Sequence, residues 1–459
     1  MPIVAGVDSS TQSVKVVLRD ADSGELVAST SRPHPDGSEV NPQHWWKALS
    51  EALDELSSHK ISAISIAGQQ HGMIALDKDG AVIRDALLWN DTRSDKAAED
   101  LNREIPDIAL RTGSQLVASF TASKVRWLAD NEKANANRVA AIALPHDWLS
   151  WKLSGAKSIE TLFTDRSDAS GTGYFDSRKN EYCLDILATA IRTNQEIILP
   201  KIIAPNQFGA TSTNSIPIAA GAGDNAGAAL GLGASLGDLV ISLGTSGTAF
   251  AISKSSTHDS SGEVAGFADA TGNFLPLACT LNAAKIFNTV AKSLSLSFEE
   301  FSSLALSAKV GAEGLRIIPH FDGERTPNKP SAKGSFYGIT HSNFTRENIA
   351  RASIEGVIAG MIYAARAVER QGVSYSRILL IGGAAKNSAV QQISADLFGR
   401  TIHIPPIGEY VADGAAKQAA WALSGKDEVP SWSLGEIRKI APKNPGPEIV
   451  EDYMKLISS

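Results

Sequence analysis

Four short stretches of this chain hold side chains able to do chemistry. In the first, Asp224 and Asn225 stand among glycines and alanines from Gly221 to Gly233. Small neighbours let another molecule approach the backbone, and glycine accepts conformations closed to other residues. Asp224 opens an Ala/Gly/Leu run that reads as a helix, so its carboxylate is expected at a helix N-terminus, where the dipole would lower its pKa. It serves there either as an N-cap or Asx turn, or as a catalytic carboxylate at a domain junction. The second stretch is a pair of hydroxyl-rich turns, Asp8-Ser-Ser-Thr-Gln-Ser13 and Leu243-Gly-Thr-Ser-Gly-Thr248. Their hydroxyls and backbone N–H groups are what phosphate oxygens require, and two such turns facing each other would clamp a polyphosphate. Asp8 cannot bind phosphate itself. It suits Mg²⁺ held through water, or else it simply starts the turn.

The third stretch comprises Gln70-His71 and Trp89-Asn90-Asp91, donors and acceptors beside an aromatic face, which suits a polyhydroxylated compound. His71 alone reads equally as a structural histidine, and Arg93 as a surface partner of Asp91 or Asp95. The fourth is the strand-to-helix turn Gly382-Gly-Ala-Ala-Lys-Asn387, where a flat ring can lie against the backbone. Other chemistries lack their signatures. The sequence has no G-x-x-x-x-G-K-[ST] loop, no G-x-G-x-x-G after its first strand, and no H-E-x-x-H or paired C-x-x-C.

The elements that must position these groups alternate between strand and helix patterns. Ile3–Val7 and Val14–Leu18 form a hairpin, with Glu25–Ser31 as a third antiparallel strand. Asn41-Pro42 caps a helix whose Trp45, Trp46, Leu49, Leu53 and Leu56 stripe is a buried face. Strands follow at Ile61–Ala67, Ile74–Asp77 and Leu87–Trp89. The region from Ser94 to Leu153 is mostly helical, and Arg166–Gly173 reads as a polar loop. Further strands are expected at Ile216–Ala220, Asp238–Leu243 and Arg377–Ile381. Helices are expected at Ser388–Phe398 and from Asp413, where small residues allow close packing. The segments starting at Ile3 and Leu239 both read strand, small-hydroxyl turn, strand. Unless two hairpins agree by chance, this implies a duplicated domain with a cleft between the copies.

The 459 residues allow two or three domains, and 43% hydrophobic with 20% charged content is ordinary for a globular protein. A net charge of −7 argues against nucleic acid or an anionic membrane as partner. Cys183 and Cys279 form neither a disulfide framework nor a metal pattern, which points to a reducing compartment. No signal-peptide pattern and no membrane-spanning apolar run is read, so a cytoplasmic protein is expected.

In this order the pieces resemble the FGGY family of carbohydrate kinases across nearly the whole chain. The likeness rests on Gly6-Val-Asp8, Gly68-Gln-Gln-His71-Gly72, Leu88-Trp-Asn-Asp91 and Gly223-Asp224-Asn225-Ala226. It continues through Leu243-Gly-Thr-Ser-Gly247, Gly323-Glu-Arg-Thr-Pro327, Ile381-Gly-Gly383 and Gly334-Ser-Phe-Tyr-Gly-Ile339, with Asn348–Glu355 after it. The resemblance implies an α/β fold of two ribonuclease-H-like domains, of the actin/hexokinase/Hsp70 type, flanking a deep catalytic cleft. The expected domains are 1–228, with the sugar site and first phosphate turn, and 229–459, with the ATP site.

It further implies ATP-dependent phosphorylation of a sugar hydroxyl with Mg²⁺, nearest to the enzymes that act on O5 of D-xylulose. By the same pattern Asp224 is the catalytic base, and Asp8 lies near the metal and phosphates. Gln70, His71, Trp89, Asp224 and Asn225 meet the sugar. Ser10, Thr11, Gln12, Gly244, Thr245 and Ser246 face the phosphates, and Gly383, Ala384 and Asn387 the adenosine. Ser10 and Ala384 stand where many relatives carry glycine. Glycerol kinases carry an Arg-Glu pair where this chain has Gln70-His71, which counts against glycerol. Another ketose, polyol or sugar acid, such as L-ribulose or gluconate, stays open, as do an actin- or Hsp70-like ATPase and a non-catalytic sugar sensor. A homodimer is compatible with this reading.

Overall fold

The computed structural model describes residues 1–193 and 195–458. Strand β1 (Ile3–Ser9) is buried along nearly all its length, as expected for a central strand covered on both faces. It pairs antiparallel with β2 (Ser13–Asp20), which pairs with β3 (Leu26–Pro33). Helix α1 (Pro42–Glu55) starts where Asn41 Oδ1 accepts the Gln43 N–H at 3.0 Å, and it buries Trp45 and Leu49. The chain then returns as β4 (Ile61–Gly68), parallel to β1. A mainly helical insertion carries α2 (Pro145–Leu153) and α3 (Arg166–Ala169). The first sheet is completed by β5 (Phe208–Thr211), β6 (Pro217–Ala219) and β7 (Ala222–Gly223), with β6 and β7 both alongside β4.

After α4 (Asp224–Gly231) the plan repeats. Strands β8 (Asp238–Leu243) and β9 (Gly247–Ala251) form a hairpin, and β11 (Phe274–Thr280) joins β9 with β10 (Ala265–Ala268) outside it. The long α5 (Arg346–Arg370) leads to β12 (Arg377–Ile381), parallel to β8. Then α6 (Ser388–Phe398) leads to β13 (Ile402–Ile404), parallel to β12 and edged by β14 (Arg438–Ile440). Among the described residues each of these two sheets has seven strands, and in each a central strand lies between its own hairpin partner and a later parallel strand. The duplication expected from the two hydroxyl turns is thus present as topology, and both halves are ribonuclease-H-like.

Some local expectations change. The strand expected at Leu87–Trp89 is Ala86–Leu87, paired with Glu39–Val40, and Trp89 lies beyond it. The stretch expected to be mostly helical also holds the strand Ala141–Ala143, paired with Ile74–Leu76. Arg166–Gly173, expected as a polar loop, is instead the buried turn of α3 followed by a 3₁₀ turn at Ser170–Thr172. Its physical cause is Asp165, whose carboxylate accepts the N–H groups of Ser167 at 2.7 Å and Asp168 at 3.0 Å. No helix among the described residues is long and apolar enough to cross a membrane.

The last element that shapes the site is α7 (Tyr410–Ser424), which lies against β1 and α4 of the first half. Its approach is backbone to backbone. A Cβ on Gly6 would fall 2.0 Å from the Ala412 carbonyl oxygen, and one on Gly414 1.9 Å from that of Gly227. Gln418 closes the contact: its Oε1 accepts from Ser65 Oγ at 2.7 Å and Gly221 N at 3.0 Å, and its Nε2 donates to Gly221 O at 2.8 Å. Gly414→Ala is therefore expected to destabilise the protein by about 3 kcal/mol, read as a lower urea midpoint. An unchanged midpoint would refute this account of the packing.

Candidate active site

Strand register fixes which side chains meet. Asp8 pairs with Ala67 and Ala67 with Ala222, while Ser9, Gly68 and Gly223 form the next row. Strands β1, β4 and β7 therefore end level, and Ser10, Gln69 and Asp224 leave from one edge. In open α/β sheets the carboxyl ends of parallel strands are where ligands bind.

Two carboxylates stand at this edge. Asp8 is buried, and its Oδ1 has no hydrogen-bond partner among the described residues. Burial, reinforced by the Asp224 charge, pushes its carboxyl up to about 7. Lys15 lies opposite Asp8 in the hairpin but pairs with Glu409 at 2.6 Å. Asp224 is the first residue of α4, and the cap position belongs to Gly223. The N-cap reading is thus replaced: Asp224 Oδ1 instead accepts the Asn225 backbone N–H at 2.7 Å and its side-chain amide at 2.8 Å. Burial outweighs these bonds and pushes the Asp224 carboxyl up to about 6, the opposite of the shift expected from the helix dipole alone.

Gln70 and His71 lie two and three residues past the end of β4. His71 sits in the left-handed region at φ 69°, its ring 4.8 Å from Phe120 and 5.6 Å from Phe267, centroid to centroid. Its Nδ1 lies 2.6 Å from the Gly171 carbonyl oxygen, which fixes the proton on Nδ1 and leaves Nε2 an acceptor. Burial pushes its pKa down to about 3, so the ring is neutral. Gln70 Nε2 donates to Ser167 O at 3.2 Å, and the side chain packs where a Cβ on Gly223 would stand, 2.7 Å away. Trp89 Nε1 donates to Thr11 Oγ1 at 2.9 Å, and Thr11 donates to Gln69 Oε1 at 3.3 Å. The indole thereby joins the first hydroxyl turn to the segment carrying Gln70.

The second half supplies a matching edge. Ser242 pairs with Ile381, so the turns after β8 and β12 emerge side by side. Gly244 N–H donates to Ser246 O at 3.0 Å while Thr245 is exposed. In the first half's turn, Ser10 N–H and Oγ both donate to Ser13 O, at 3.0 and 2.9 Å, and Gln12 is exposed. Gly382 needs its φ of 92°, and a Cβ there would meet Leu243 O at 2.6 Å; a Cβ on Gly383 would meet nothing within 4 Å. Gly383 is therefore the open face of this turn. Ala384 is buried, and Asn387 Oδ1 caps α6 by accepting from Ala389 N at 2.9 Å and Val390 N at 3.1 Å.

Sequence reasoning missed two groups. Lys124 is wholly buried and donates only to carbonyl oxygens, at 3.3 Å to His71, at 3.4 Å to Ala118, and to Ser119. Burial pulls its ammonium down to about 7. The buried turn of α3 meets Gln70 and, through Gly171, His71. A signal for it was present in Asp165-Arg-Ser-Asp168, whose spacing is that of a capped turn.

Comparison with known proteins agrees with this architecture. Residues 3–231 match the N-terminal domain of the FGGY family of carbohydrate kinases, and residues 239–423 match its C-terminal domain. The chain is 41% identical over 444 residues to the xylulose kinase of Streptomyces coelicolor, covering 93% of this chain and 89% of that one. It is 32% identical over 442 residues to the xylulose kinase of Escherichia coli K12, covering 91% and 90%. The crystal structure of xylulose kinase from Bifidobacterium adolescentis matches with a TM-score of 0.92 at 42% identity, covering 99% of both chains. The chain belongs to the FGGY family of carbohydrate kinases, enzymes that use ATP to phosphorylate sugars.

Proposed function

We propose that this kinase transfers the γ-phosphoryl group of MgATP to O5 of D-xylulose, in the cytoplasm, with Asp224 as general base. The observation that carries the substrate assignment is the 41% identity, across 93% of the chain, to a xylulose kinase. The geometry supports the site. Gln70, His71 and Asp224 follow the level strand ends, so one small polyol can reach all three. His71 Nε2 accepts from a sugar hydroxyl, Gln70 orients a second, and Asn225 steadies Asp224 for the hydroxyl that reacts.

Phosphoryl transfer asks for positioning and charge neutralisation more than covalent work. At neutral pH Asp224 is ionised and takes the hydroxyl proton. The turns Ser10–Gln12 and Gly244–Ser246, each closed by its own internal hydrogen bond, present the exposed Gln12 and Thr245 toward the phosphates, and Gly383, backed by Ala384 and Asn387, receives the adenosine. The partnerless Oδ1 of Asp8 fits a hydrated cation: a carboxylate buried beside a second carboxylate favours a positive charge. When bound there, Mg²⁺ neutralises phosphate charge. We assign the domains as 1–228 and 229–459.

A second substrate reading has one observation behind it, a TM-score of 0.88 at 25% identity to gluconate kinase from Lactobacillus acidophilus. ADP release with D-xylulose, L-ribulose, D-gluconate and glycerol separates the readings. D-xylulose should give the highest kcat/KM by about tenfold or more, a discrimination of about 1.4 kcal/mol. A higher value for gluconate would replace the assignment, and ADP release without any sugar would favour an actin- or Hsp70-like ATPase.

Asp224→Asn should leave the fold intact and lower kcat by about 10²–10⁴-fold; near-normal turnover would sink the role of Asp224 as base. In the unaltered enzyme kcat/KM for the sugar should rise with pH through about 6 and then level, as Asp224 loses its proton. The two carboxyls titrate at about 7 and 6 in the folded chain against 3.8 ordinarily, so the folded state binds these protons more tightly. Their contribution to stability is present below pH 3.8 and lost as pH rises through 6 to 7. Asp8→Asn and Asp224→Asn should each raise the melting temperature at pH 8, by about 2 °C or more, with the gain vanishing near pH 4.

A further inference from the structure

Behind the strand ends lies a second, fully buried polar layer. Its centre is Ser167 in α3. Ser167 Oγ accepts the Gly223 N–H at 3.0 Å, one residue ahead of Asp224. Its carbonyl oxygen accepts from Gln70 Nε2 at 3.2 Å and from Ser170 Oγ at 2.6 Å. Four residues on, the Gly171 carbonyl holds His71. One turn of chain thus grips the backbone leading to Asp224 and both Gln70 and His71.

This turn is itself anchored. His146 Nδ1 lies 2.6 Å from Asp168 Oδ2, and both side chains are closed to solvent. His146 packs tightly against the backbone of both strands: a Cβ on Gly221, just before β7, would fall 2.3 Å from its ring Cδ2, and one on Gly68, at the end of β4, 3.1 Å from its Cβ. Burying an ion pair costs desolvation that its attraction barely returns, so its contribution is to placement more than to stability. Contacts also run to the second half. Ser170 Oγ accepts the Ala268 N–H at 3.0 Å, and Arg166 lies 3.7 Å from Asp269.

We infer that Ser167 is a positioning residue for phosphoryl transfer: its hydroxyl sets Asp224 through the Gly223 N–H, its carbonyl aims Gln70, and the His146–Asp168 pair holds the turn that carries both. The inference rests on the reading of Asp224 as base. Removing the hydroxyl frees β7 to shift at the point where the base is attached, and a misplacement of about 1 Å costs about a hundredfold in rate. The turns at Gly244–Ser246 and Gly383 stand on β8 and β12 of the other sheet, and none of the hydrogen bonds of Ser167 described above runs to them.

The test is Ser167→Ala, assayed for D-xylulose-dependent ADP release beside Asp224→Asn, with thermal melts of both. The expected result is a folded Ser167→Ala enzyme with kcat down about 10–100-fold and KM for ATP unchanged. A Ser167→Cys enzyme, whose sulfur is a weaker acceptor, should fall between Ala and the original. A folded Ser167→Ala enzyme with kcat within about twofold of the original, beside an inactive Asp224→Asn, overturns the positioning role and leaves the base in place. So does a loss of kcat matched by an equal rise in KM for ATP, the mark of general loosening. A normally active Asp224→Asn enzyme overturns the base and this inference together. If the alanine variant does not fold, the cysteine variant is judged by the same criteria.

Discussion

Two carboxylates are held at one sheet edge in surroundings that disfavour their charge, and the rest of the site follows from that constraint. Asp8 and Asp224 have no ion-pair partner among the described residues, and each is raised above an ordinary carboxyl. Leaving two like charges in a low-dielectric setting is unfavourable unless something positive or proton-bearing arrives. In the function proposed above, a nucleotide with its cation supplies the first, and a sugar hydroxyl the second. In the proposed reading, burial of Asp8 beside Asp224 thus suits this edge to both substrates together.

Rigid neutral groups surround those charges. His71 is kept neutral by burial and by its bond to Gly171, so it can recognise a hydroxyl without adding charge to the edge. Lys124, the nearby buried cation, is turned away onto carbonyl oxygens and steadies the backbone after β4 instead. The two carboxylates at the strand ends are thus backed by a buried polar wall whose own charges, His146 and Asp168, are paired with each other.

Much of this was legible in the sequence for physical reasons. Gly382 and Gly6 are glycines because of a positive φ in one case and a backbone contact in the other, and such residues mark turns and close approaches. The repeated hairpin was visible because central strands read as unbroken apolar runs. The buried turn at Arg166–Gly173 was not visible as buried. Its polar side chains are covered only because their partners come from His146, Gln70, Gly223 and Ala268, and no local pattern announces partners so distant. Lys124 was hidden for the same reason. Asp224 was read at the start of a helix, where it stands, but its place one residue inside the cap depends on Gly223 pairing with Gly68, a register that composition does not encode.

The docking of α7 on β1 has a consequence for how the molecule comes into being. The partner that covers Gly6 and locks Gly221 is made of residues 410–424, more than four hundred positions after the strand it covers. During synthesis the first sheet must therefore wait, one face uncovered, until nearly the whole chain has left the ribosome. Contacts of such long sequence separation are slow to form and leave intermediates prone to aggregate. The first half thus reaches its finished form only after the second has been made, and a chain cut short before α7 would leave its nascent sugar site on an open, adhesive sheet.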